Sequence, residues 1–301
     1  MDPDDRPDPE RERRALTGLA YRMLGTVADA EDAVQEAYAR WFRMPQGARE
    51  AVANPGAWLM TATSRICLDV LGSARVRRES YVGEWLPEPL PSSVAAMFAP
   101  PASDDPLDLV ARDESISTAL LVVLESLTPA ERVVFVLHEV FAVPFAEVAE
   151  IVGRTPAACR QLAVSARRHV HEGRAGIVSR ERHDEVVRAF IAATGTGRLD
   201  ALVSLLDPEV VLVSDGGGLV SAARRPVLGP DHVSRFLAGI IAQRGAALEW
   251  SLHDDGDGLT VAFGERGTVD AVAAVEVRGE RISRVWIVRN PEKLRRWNPE
   301  G

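Results

Sequence analysis

The sequence has a single lysine and only two cysteines among its 301 residues. Cys67 and Cys159 lie far apart, each in an apparent helix, so they are poor candidates for a disulfide framework or a zinc site. No stretch approaches the roughly 20 apolar residues that span a bilayer. The acidic, proline-rich start, MDPDDRPDPERERR, is unlike a secretory signal. These absences favour a cytoplasmic protein and give no indication of a metal, a cofactor or a membrane.

The charge of the chain is unevenly distributed. A net charge of −9 would argue against nucleic-acid binding if it were spread evenly. However, residues 1–10 hold five acids and one base, whereas residues 154–171 hold four arginines and no acid. Residues 75–78 read RVRR. Basic patches therefore occur in an acidic protein, and they are candidate contacts for nucleic acid.

Hydrophobic periodicity divides the chain into two helical blocks and a third, mixed block. Apolar residues recur at helical spacing through residues 11–81 and again from about 109 to 174. The segment between them, which includes WLPEPLPSS at 85–93, is rich in proline, serine and aspartate and is typical of a linker. After about residue 183, helical segments give way to alternating strands, which indicates an α+β domain. The predicted domains are residues 1–81, 82–108, 109–178 and 179–301.

The second helical block has the pattern of a helix-turn-helix. Thr128 and Glu131 predict a capping box at the start of one helix. A short helix, a turn at Gly153 and a longer helix opened by Thr155-Pro156 follow. The residues predicted to face the core are Ala146, Val148, Ala149, Ile151, Val152, Cys159, Leu162, Ala163 and Ala166.

The outer face of the longer helix predicts DNA binding, although a solvated basic helix in an unrelated bundle is the alternative. A helix in the major groove reads base edges with a few side chains and contacts phosphates with others. Arginine suits guanine and glutamine suits adenine, so Arg160 and Gln161 are the candidate base readers. The predicted DNA-facing residues are Arg154, Thr155, Ala158, Arg160, Gln161, Ser165, Arg167 and Arg168.

The stretch GTVADAEDAVQEAYARWF, residues 25–42, is an acidic helix whose outer face could simply be solvated. It also resembles region 2.2 of the extracytoplasmic-function (group IV) sigma factors, in which a D-A-E-D-x-x-Q-E-x-[FY] run ends in tryptophan. In that family this helix docks on the clamp helices of RNA polymerase. An acidic face then has a physical role, because charge complementarity orients the partner and speeds association. The polymerase-binding residues implied by the resemblance are Asp29, Glu31, Asp32, Gln35 and Glu36.

The next segment, residues 54–79, resembles regions 2.3 and 2.4 of the same family. There, the loop before the helix captures an unstacked base of the −10 element, and the helix guides the non-template strand. Trp58 could equally belong to the core, and Arg65 could form an ion pair with Asp69 one turn later. The DNA path implied by the resemblance comprises Asn54, Trp58, Thr61, Arg65 and Asp69, with Arg75, Arg77 and Arg78 on backbone phosphates.

Residues 11–172 as a whole resemble a two-domain group IV sigma factor, in which region 2 reads the −10 element and region 4 the −35 element. The third domain resembles the cone-shaped α+β fold of SnoaL-like proteins, and the chain is similar to the sigma subfamily that carries this extension. The landmarks are WLPEPL at 85–90, DGGG at 215–218 and NPEKL at 290–294. Leu219 departs from the usual lysine, which puts in doubt a role that needs a cation there, and Glu292 replaces the commoner aspartate.

The resemblance implies two all-α sigma domains followed by an α+β SnoaL-like cone domain. It also implies a bacterial sigma factor that binds core RNA polymerase and promoter DNA, has no catalytic residues, and is regulated in cis by its C-terminal domain. We expect that domain to contact the linker near the glycine turn. The predicted interdomain residues are Trp85, Leu86, Pro87, Asp215, Gly216, Gly217, Gly218, Asn290, Pro291 and Leu294.

The alternatives are a ligand-responsive helix-turn-helix regulator and a SnoaL-like enzyme fused to a DNA-binding module. The cone of such a domain could hold an unknown small ligand. General acid–base catalysis needs a positioned pair of titratable groups, and a lone His253 beside Asp254 on a strand is weak evidence for one. The residues that could approach such a cavity are Asp215, Trp250, His253, Asp254 and Trp286.

Overall fold

The computed structural model describes residues 9–79, 81–98, 117–195, 199–244 and 248–298. These residues fall into two compact units. The first unit comprises the described residues up to 77 together with 95–98 and 123–173, and the second comprises those within 78–94, 117–122 and 174–298. Among the described helices, none is both long and apolar enough to cross a membrane.

Helices make up the regular structure of the described residues between 9 and 173. In chain order they are α1 Pro9–Leu24, α2 Val27–Arg43, α3 Gln46–Glu50, α4 Pro55–Glu79, α5 Ser92–Met97, α6 Thr118–Glu125, α7 Pro129–Phe135 with a π-helical extension Val136–Val140, α8 Phe145–Val152 and α9 Pro156–Gly173.

Local capping signals set several of these helix ends. The Thr128–Glu131 capping box is confirmed, with reciprocal hydrogen bonds and Pro129 in the first turn of α7. Gly153 ends α8 with a φ of 68°, a left-handed conformation in which glycine is unstrained. Thr26 caps α2, because its hydroxyl accepts from the Asp29 amide.

A buried arginine links Phe98, in the second half of the linker, to α1 within the first unit. The Arg22 guanidinium donates to the carbonyl oxygens of Gly18 (2.9 Å) and Phe98 (3.0 Å). Burial lowers the pKa of Arg22 to about 9, so this side chain is still charged near neutral pH. The Phe98 carbonyl oxygen lies so close to Gly18 that a Cβ atom at Gly18 would be only 2.2 Å from it. The linker is therefore fixed against α1 at Phe98.

The second unit is an α+β domain, which confirms the expected fold class of helical blocks followed by an α+β domain. The elements are α10 Arg180–Gly195, α11 Leu199–Leu205, β1 Leu206–Asp215, β2 Val227–Leu228, α12 Pro230–Arg244, β3 Glu249–Asp254, β4 Leu259–Glu265, β5 Thr268–Arg278, β6 Arg281–Val288 and a 3₁₀ helix Pro291–Trp297. The sheet has six strands in the order β2-β1-β6-β5-β4-β3, and β1 runs parallel to β6 while the other neighbours are antiparallel.

The two faces of this sheet contact different parts of the unit, because successive residues of a strand point to opposite sides. On one side, Val285 and Ile287 pack with Phe190 of α10 in the larger apolar core. On the other side, Trp286 and Val288 belong to a second apolar cluster. We call the first side the helix face and the second the linker face, since residues of the linker contact the latter.

Candidate functional site

The acidic face of α2 includes side chains with intramolecular partners. The Asp29 carboxylate accepts from the Thr26 hydroxyl (2.6 Å) and so helps to fix the start of the helix. Glu36 pairs with Arg40 (2.8 Å) and Arg43 (3.4 Å), and these pairs lower its pKa. The other three predicted polymerase contacts are exposed: Glu31, Asp32 and Gln35.

The predicted −10 path follows the start of α4. Asn54 is exposed, and its side chain accepts from the Ala57 amide (3.1 Å). Trp58 is half-buried against Trp41, with ring centroids 5.2 Å apart, and Thr61 is also half-buried. The exposed Asp69 lies further along the same helix. The side chains of Arg75, Arg77 and Arg78 lie outside the part of the chain that the structure describes.

Arg65 of α4 contacts the helix-turn-helix within the first unit. It is an exposed residue, and its guanidinium donates to the main-chain oxygen of Glu150 in α8 (2.9 Å). A DNA strand that bound Arg65 would have to replace this contact.

The outer face of α9 carries most of the predicted DNA contacts. Arg154, which precedes the helix, is exposed, as are Arg160, Gln161, Arg167 and Arg168. Thr155 caps the helix by accepting from the Ala158 amide (3.2 Å), and Ala158 itself is half-buried. Arg167 also pairs with Glu139 (2.7 Å).

Two residues of the helix-turn-helix lie differently from the pattern-based prediction. Ala146 was predicted to face the core but is exposed, so that prediction is wrong. Ser165 is half-buried, and its hydroxyl bonds to Glu131, which lowers the pKa of that carboxyl group. Ser165 therefore has a structural partner in α7.

Val164 was missed by the sequence reasoning. Its side chain is 62% exposed, although valine is apolar, and it lies on the basic face of α9 one turn after Arg160. The available signal was the helical spacing of 160, 164 and 168. An exposed valine on such a face can contact the methyl group of a thymine.

In the second unit, the Asp215 carboxylate joins the linker, the glycine turn and the C-terminal tail. It is fully buried, and each of its oxygens accepts two hydrogen bonds. Oδ1 accepts from the Tyr81 hydroxyl (2.6 Å) and the Gly217 amide (2.9 Å). Oδ2 accepts from the Leu86 amide (3.0 Å) and from Lys293 Nζ (2.7 Å). We call these five residues the Asp215 cluster.

Further contacts fix the donors of this cluster. Lys293 Nζ also donates to the Leu86 carbonyl and lies 4.2 Å from the ring centroid of the half-buried Trp85, in cation–π contact. The Asn290 side chain donates to the Tyr81 hydroxyl (3.0 Å). Burial, followed by the bond to Asp215, raises the pKa of Tyr81, so its hydroxyl remains a donor. The sequence reasoning missed Tyr81 and Lys293, and the one signal was that the chain's only lysine lies in NPEKL.

The apolar part of the linker packs on the linker face of the sheet. Leu86 is 3% exposed and lies in one cluster with Trp286, Leu294 and Trp297. The indole N–H of Trp297 donates to the Pro89 carbonyl (2.9 Å). Two more residues of the predicted interdomain set differ in burial: Pro87 is buried, and Pro291 is exposed at the start of the 3₁₀ helix.

The glycine turn after β1 requires glycine for space as well as conformation. Gly217 and Gly218 have φ values of 62° and 72°, which favour glycine. A Cβ atom at Gly217 would lie 2.4 Å from Asn290 Nδ2, and one at Gly218 would lie 2.9 Å from the Cβ of Val82 in the linker. At Gly216 it would lie 2.5 Å from the Val220 carbonyl oxygen. The turn therefore allows the tail and the linker to approach closely.

The start of α6 is attached to the same unit. Ala119 belongs to the apolar cluster that contains Leu86. Asp255, after β3, accepts hydrogen bonds from the Thr118 amide and hydroxyl. Burial, with repulsion from Asp257, nevertheless raises the pKa of Asp255 to about 6. Both the beginning of the linker and the beginning of α6 thus contact the α+β domain.

The residues considered for a catalytic cavity do not line the cavity on the helix face of the domain. Asp215 and Trp286 contact the linker, Trp250 is 51% exposed, and His253 contacts Ser251 (2.7 Å) and the Trp297 ring. The suggestion that these residues, with Asp254, approach this cavity is wrong, because other side chains line it. Among the described residues, no group of His, Cys, Asp or Glu could hold a metal ion.

Comparison with known proteins identifies the two helical blocks. The family models for Sigma-70 region 2 and Sigma-70 region 4 match residues 10–78 and 117–170. The chain is 42% identical to the ECF RNA polymerase sigma factor SigJ of Mycobacterium tuberculosis over 294 residues, which cover 94% of this chain and 90% of that protein. It is 38% identical to the probable ECF RNA polymerase sigma factor SigI of the same species, over 94% of this chain and 92% of that one.

The similarity extends to the complete described fold. The crystal structure of the M. tuberculosis SigJ aligns with a TM-score of 0.70 and 39% identity, and it covers 97% of this chain and 98% of that one. The similarity thus includes the α+β domain as well as the two helical blocks. The chain belongs to the extracytoplasmic-function sigma factors, the non-enzymatic initiation factors of bacterial RNA polymerase.

Proposed function

We propose that the α+β domain regulates this sigma factor in cis by binding the linker between its two promoter-reading regions. Membership of the family supplies the basic activity, since ECF sigma factors bind core RNA polymerase and promoter DNA and direct transcription initiation. We propose that it acts in the cytoplasm together with these partners. The additional step proposed for this chain is control of how the two regions engage a promoter.

The Asp215 cluster is the observation that carries this proposal. A buried carboxylate is tolerated only when it is paired and its remaining lone pairs accept hydrogen bonds. Here the Leu86 amide and the Tyr81 hydroxyl, both at the linker, supply two of the four bonds. Displacing the linker would therefore remove two of the four donors from Asp215, so binding of the linker and stability of the α+β domain are coupled.

The segment that connects regions 2 and 4 is attached to the α+β domain near both of its ends, so the separation of the two regions could be regulated. Residues 81–90 contact the Asp215 cluster and the linker face, and Thr118 bonds to Asp255. We infer that this double attachment restricts the separation that regions 2 and 4 can adopt on DNA. Each base pair added between two promoter elements moves them apart by about 3.4 Å, so such a restriction would select promoters by spacer length.

The proposed contact residues divide by role. On α2, Glu31, Asp32 and Gln35 are the exposed candidates for the polymerase. On α9, Arg160 and Gln161 are proposed to read bases, and Val164 is proposed to contact a thymine methyl group. The proposed phosphate contacts are Arg154, Arg167 and Arg168.

Run-off transcription with core RNA polymerase on promoters of graded spacer length tests this function. We expect the wild-type protein to prefer one spacer length and Lys293→Met, which removes the ammonium from the Asp215 cluster, to accept several. Glu292→Gln is the matched control, because Glu292 is exposed on the same 3₁₀ helix. Identical spacer profiles for wild type and Lys293→Met would rule out control through the linker. Failure of the wild-type protein to support any initiation would contradict the sigma activity itself.

A further inference from the structure

The two edge strands of the described sheet differ in how they are protected against pairing with a further strand. β2 has two residues and lies between Pro226 and Pro230, which have no N–H group to donate. β3 has six residues without proline, and in the described structure its register with β4 contains no bulge. Its first three residues, 249–251, are exposed. A regular, exposed edge of this kind is a template for another strand.

The backbone groups that point outward from β3 belong to alternate residues. In an antiparallel pair, residues that bond to the neighbouring strand alternate with residues whose N–H and C=O groups point away from it. The Asp255 amide bonds to the Gly258 carbonyl (3.0 Å), in the same register as the β3–β4 pairs. The outward residues are therefore Trp250, Leu252 and Asp254. The Asp254 carbonyl accepts from the Ser92 hydroxyl of the linker (2.6 Å), so a further strand would bond to Trp250 and Leu252.

A second copy of β3 supplies matching groups when a two-fold axis passes through Ser251. Trp250 of each copy then lies opposite Leu252 of the other, and the outward groups of the two residues can exchange hydrogen bonds. An axis at Leu252 would place Trp250 opposite Asp254, an acid whose carbonyl is already bonded. An axis at Trp250 would pair only residues 249–251 of the strand. The axis at Ser251 therefore suits two copies best.

The side chains in this register are complementary on both faces of the sheet. On the helix face, where Leu252 packs against the apolar core, the 51% exposed ring of Trp250 meets Leu252 of the second copy. Apolar cross-strand pairs of this kind contribute about 0.2–1 kcal/mol each. On the linker face, Glu249 lies opposite His253, so a carboxylate meets an imidazole and not another acid. We propose that β3 pairs with β3 of a second copy of this chain and joins the two sheets edge to edge.

The contact should produce a weak dimer that depends on protein concentration. It pairs residues 249–253 of each copy, and interfaces smaller than about 1,200 Å² are typical of transient association. Sedimentation velocity of the full chain over about a hundredfold range of concentration should therefore show a monomer–dimer equilibrium. Trp250→Lys should raise the dissociation constant at least tenfold, because it places a charge opposite Leu252. Leu228→Lys is the matched control, since Leu228 is 61% exposed on the opposite edge strand, β2.

Cysteine substitution tests the register itself. Residues opposite each other in a non-hydrogen-bonded pair have Cα atoms about 4.5 Å apart, and a disulfide spans about 4.4–6.8 Å. Ser251→Cys should therefore give a covalent dimer on mild oxidation. Glu249→Cys should not, because residue 249 lies opposite residue 253 and far from its own copy. The native Cys67 and Cys159 are buried and should not compete.

Three outcomes would overturn this inference. A single monomeric species of the wild-type protein at every concentration overturns the dimer. An undiminished dimer in Trp250→Lys, with a circular dichroism spectrum like that of the wild type, overturns the assignment to β3. Equal cross-linking of Ser251→Cys and Glu249→Cys overturns the register with its axis at Ser251.

Discussion

Replacing Lys293 by methionine should release the linker locally while the rest of the chain stays folded. The side chain of Lys293 is 7% exposed and supplies the only cation paired with the fully buried Asp215 in the described structure. Breaking a buried ion pair by removing one partner costs about 3–5 kcal/mol. Three neutral donors remain on the carboxylate, so we expect the lower end, about 3 kcal/mol.

Hydrogen exchange at the Leu86 amide measures this cost directly, because that amide donates to Asp215 Oδ2. A loss of about 3 kcal/mol corresponds to roughly a hundredfold faster exchange when exchange occurs through local opening. Lys293→Arg should also accelerate exchange, since a planar guanidinium does not replace a compact ammonium that binds both Asp215 and the Leu86 carbonyl. Glu292→Gln should leave the rate unchanged. A change of less than threefold in Lys293→Met would refute the idea that this ion pair stabilises the bound linker.

Three further predictions concern Asp255, Val164 and Asp32. Burial and the nearby Asp257 raise the pKa of Asp255 to about 6, so the folded state binds this proton more tightly than the unfolded state does. The free energy of unfolding should therefore fall by up to about 3 kcal/mol as the pH rises from about 4 to 6. Asp255→Asn should remove that slope in urea unfolding curves, and an unchanged slope would assign it to other groups. Val164→Ala should weaken −35 DNA binding by about 1 kcal/mol, and replacing the contacted thymine by deoxyuridine should abolish the difference between the two proteins in a titration. Asp32→Arg should reduce the affinity for core polymerase at least tenfold in a pull-down. Glu209→Arg, at an exposed position on β1, is the control and should leave the affinity unchanged. An equal loss of affinity in both variants would point to a non-specific charge effect.

Local signals in the sequence predicted the features that depend on neighbours along the chain. The Thr128–Glu131 capping box and the left-handed turn at Gly153 follow from residue type and spacing alone, and both are present. The burial of Ala146 was predicted wrongly, because α8 has only eight residues and its neighbours decide which side is covered. Periodicity gives the faces of a helix or strand but not the identity of the element that covers each face.

Features of the Asp215 cluster were predictable only in part. WLPEPL, DGGG and NPEKL were linked as motifs, yet the residues that satisfy the carboxylate come from positions 81, 86, 217 and 293. These residues are distant in the sequence, and they meet at Asp215 because β1 pairs in parallel with β6. That pairing places Asp215 beside Val288 and therefore beside the C-terminal tail. The same strand parity separates Trp286 from Ile287, so Trp286 lies on the linker face and not at the cavity.

The single lysine of the chain binds the buried carboxylate and the linker with one ammonium group. Leu219 is 61% exposed next to the glycine turn, so the turn carries no cation at that position. Lys293 approaches Asp215 from the tail, and it contacts the linker through the Leu86 carbonyl and the Trp85 ring. A lysine ammonium has three donors on a flexible stem, which allows one group to bind a carboxylate and a carbonyl at once. Because the Asp215 carboxylate and the Leu86 carbonyl bind the same ammonium group, the tail and the linker should bind to the domain, or be released from it, together.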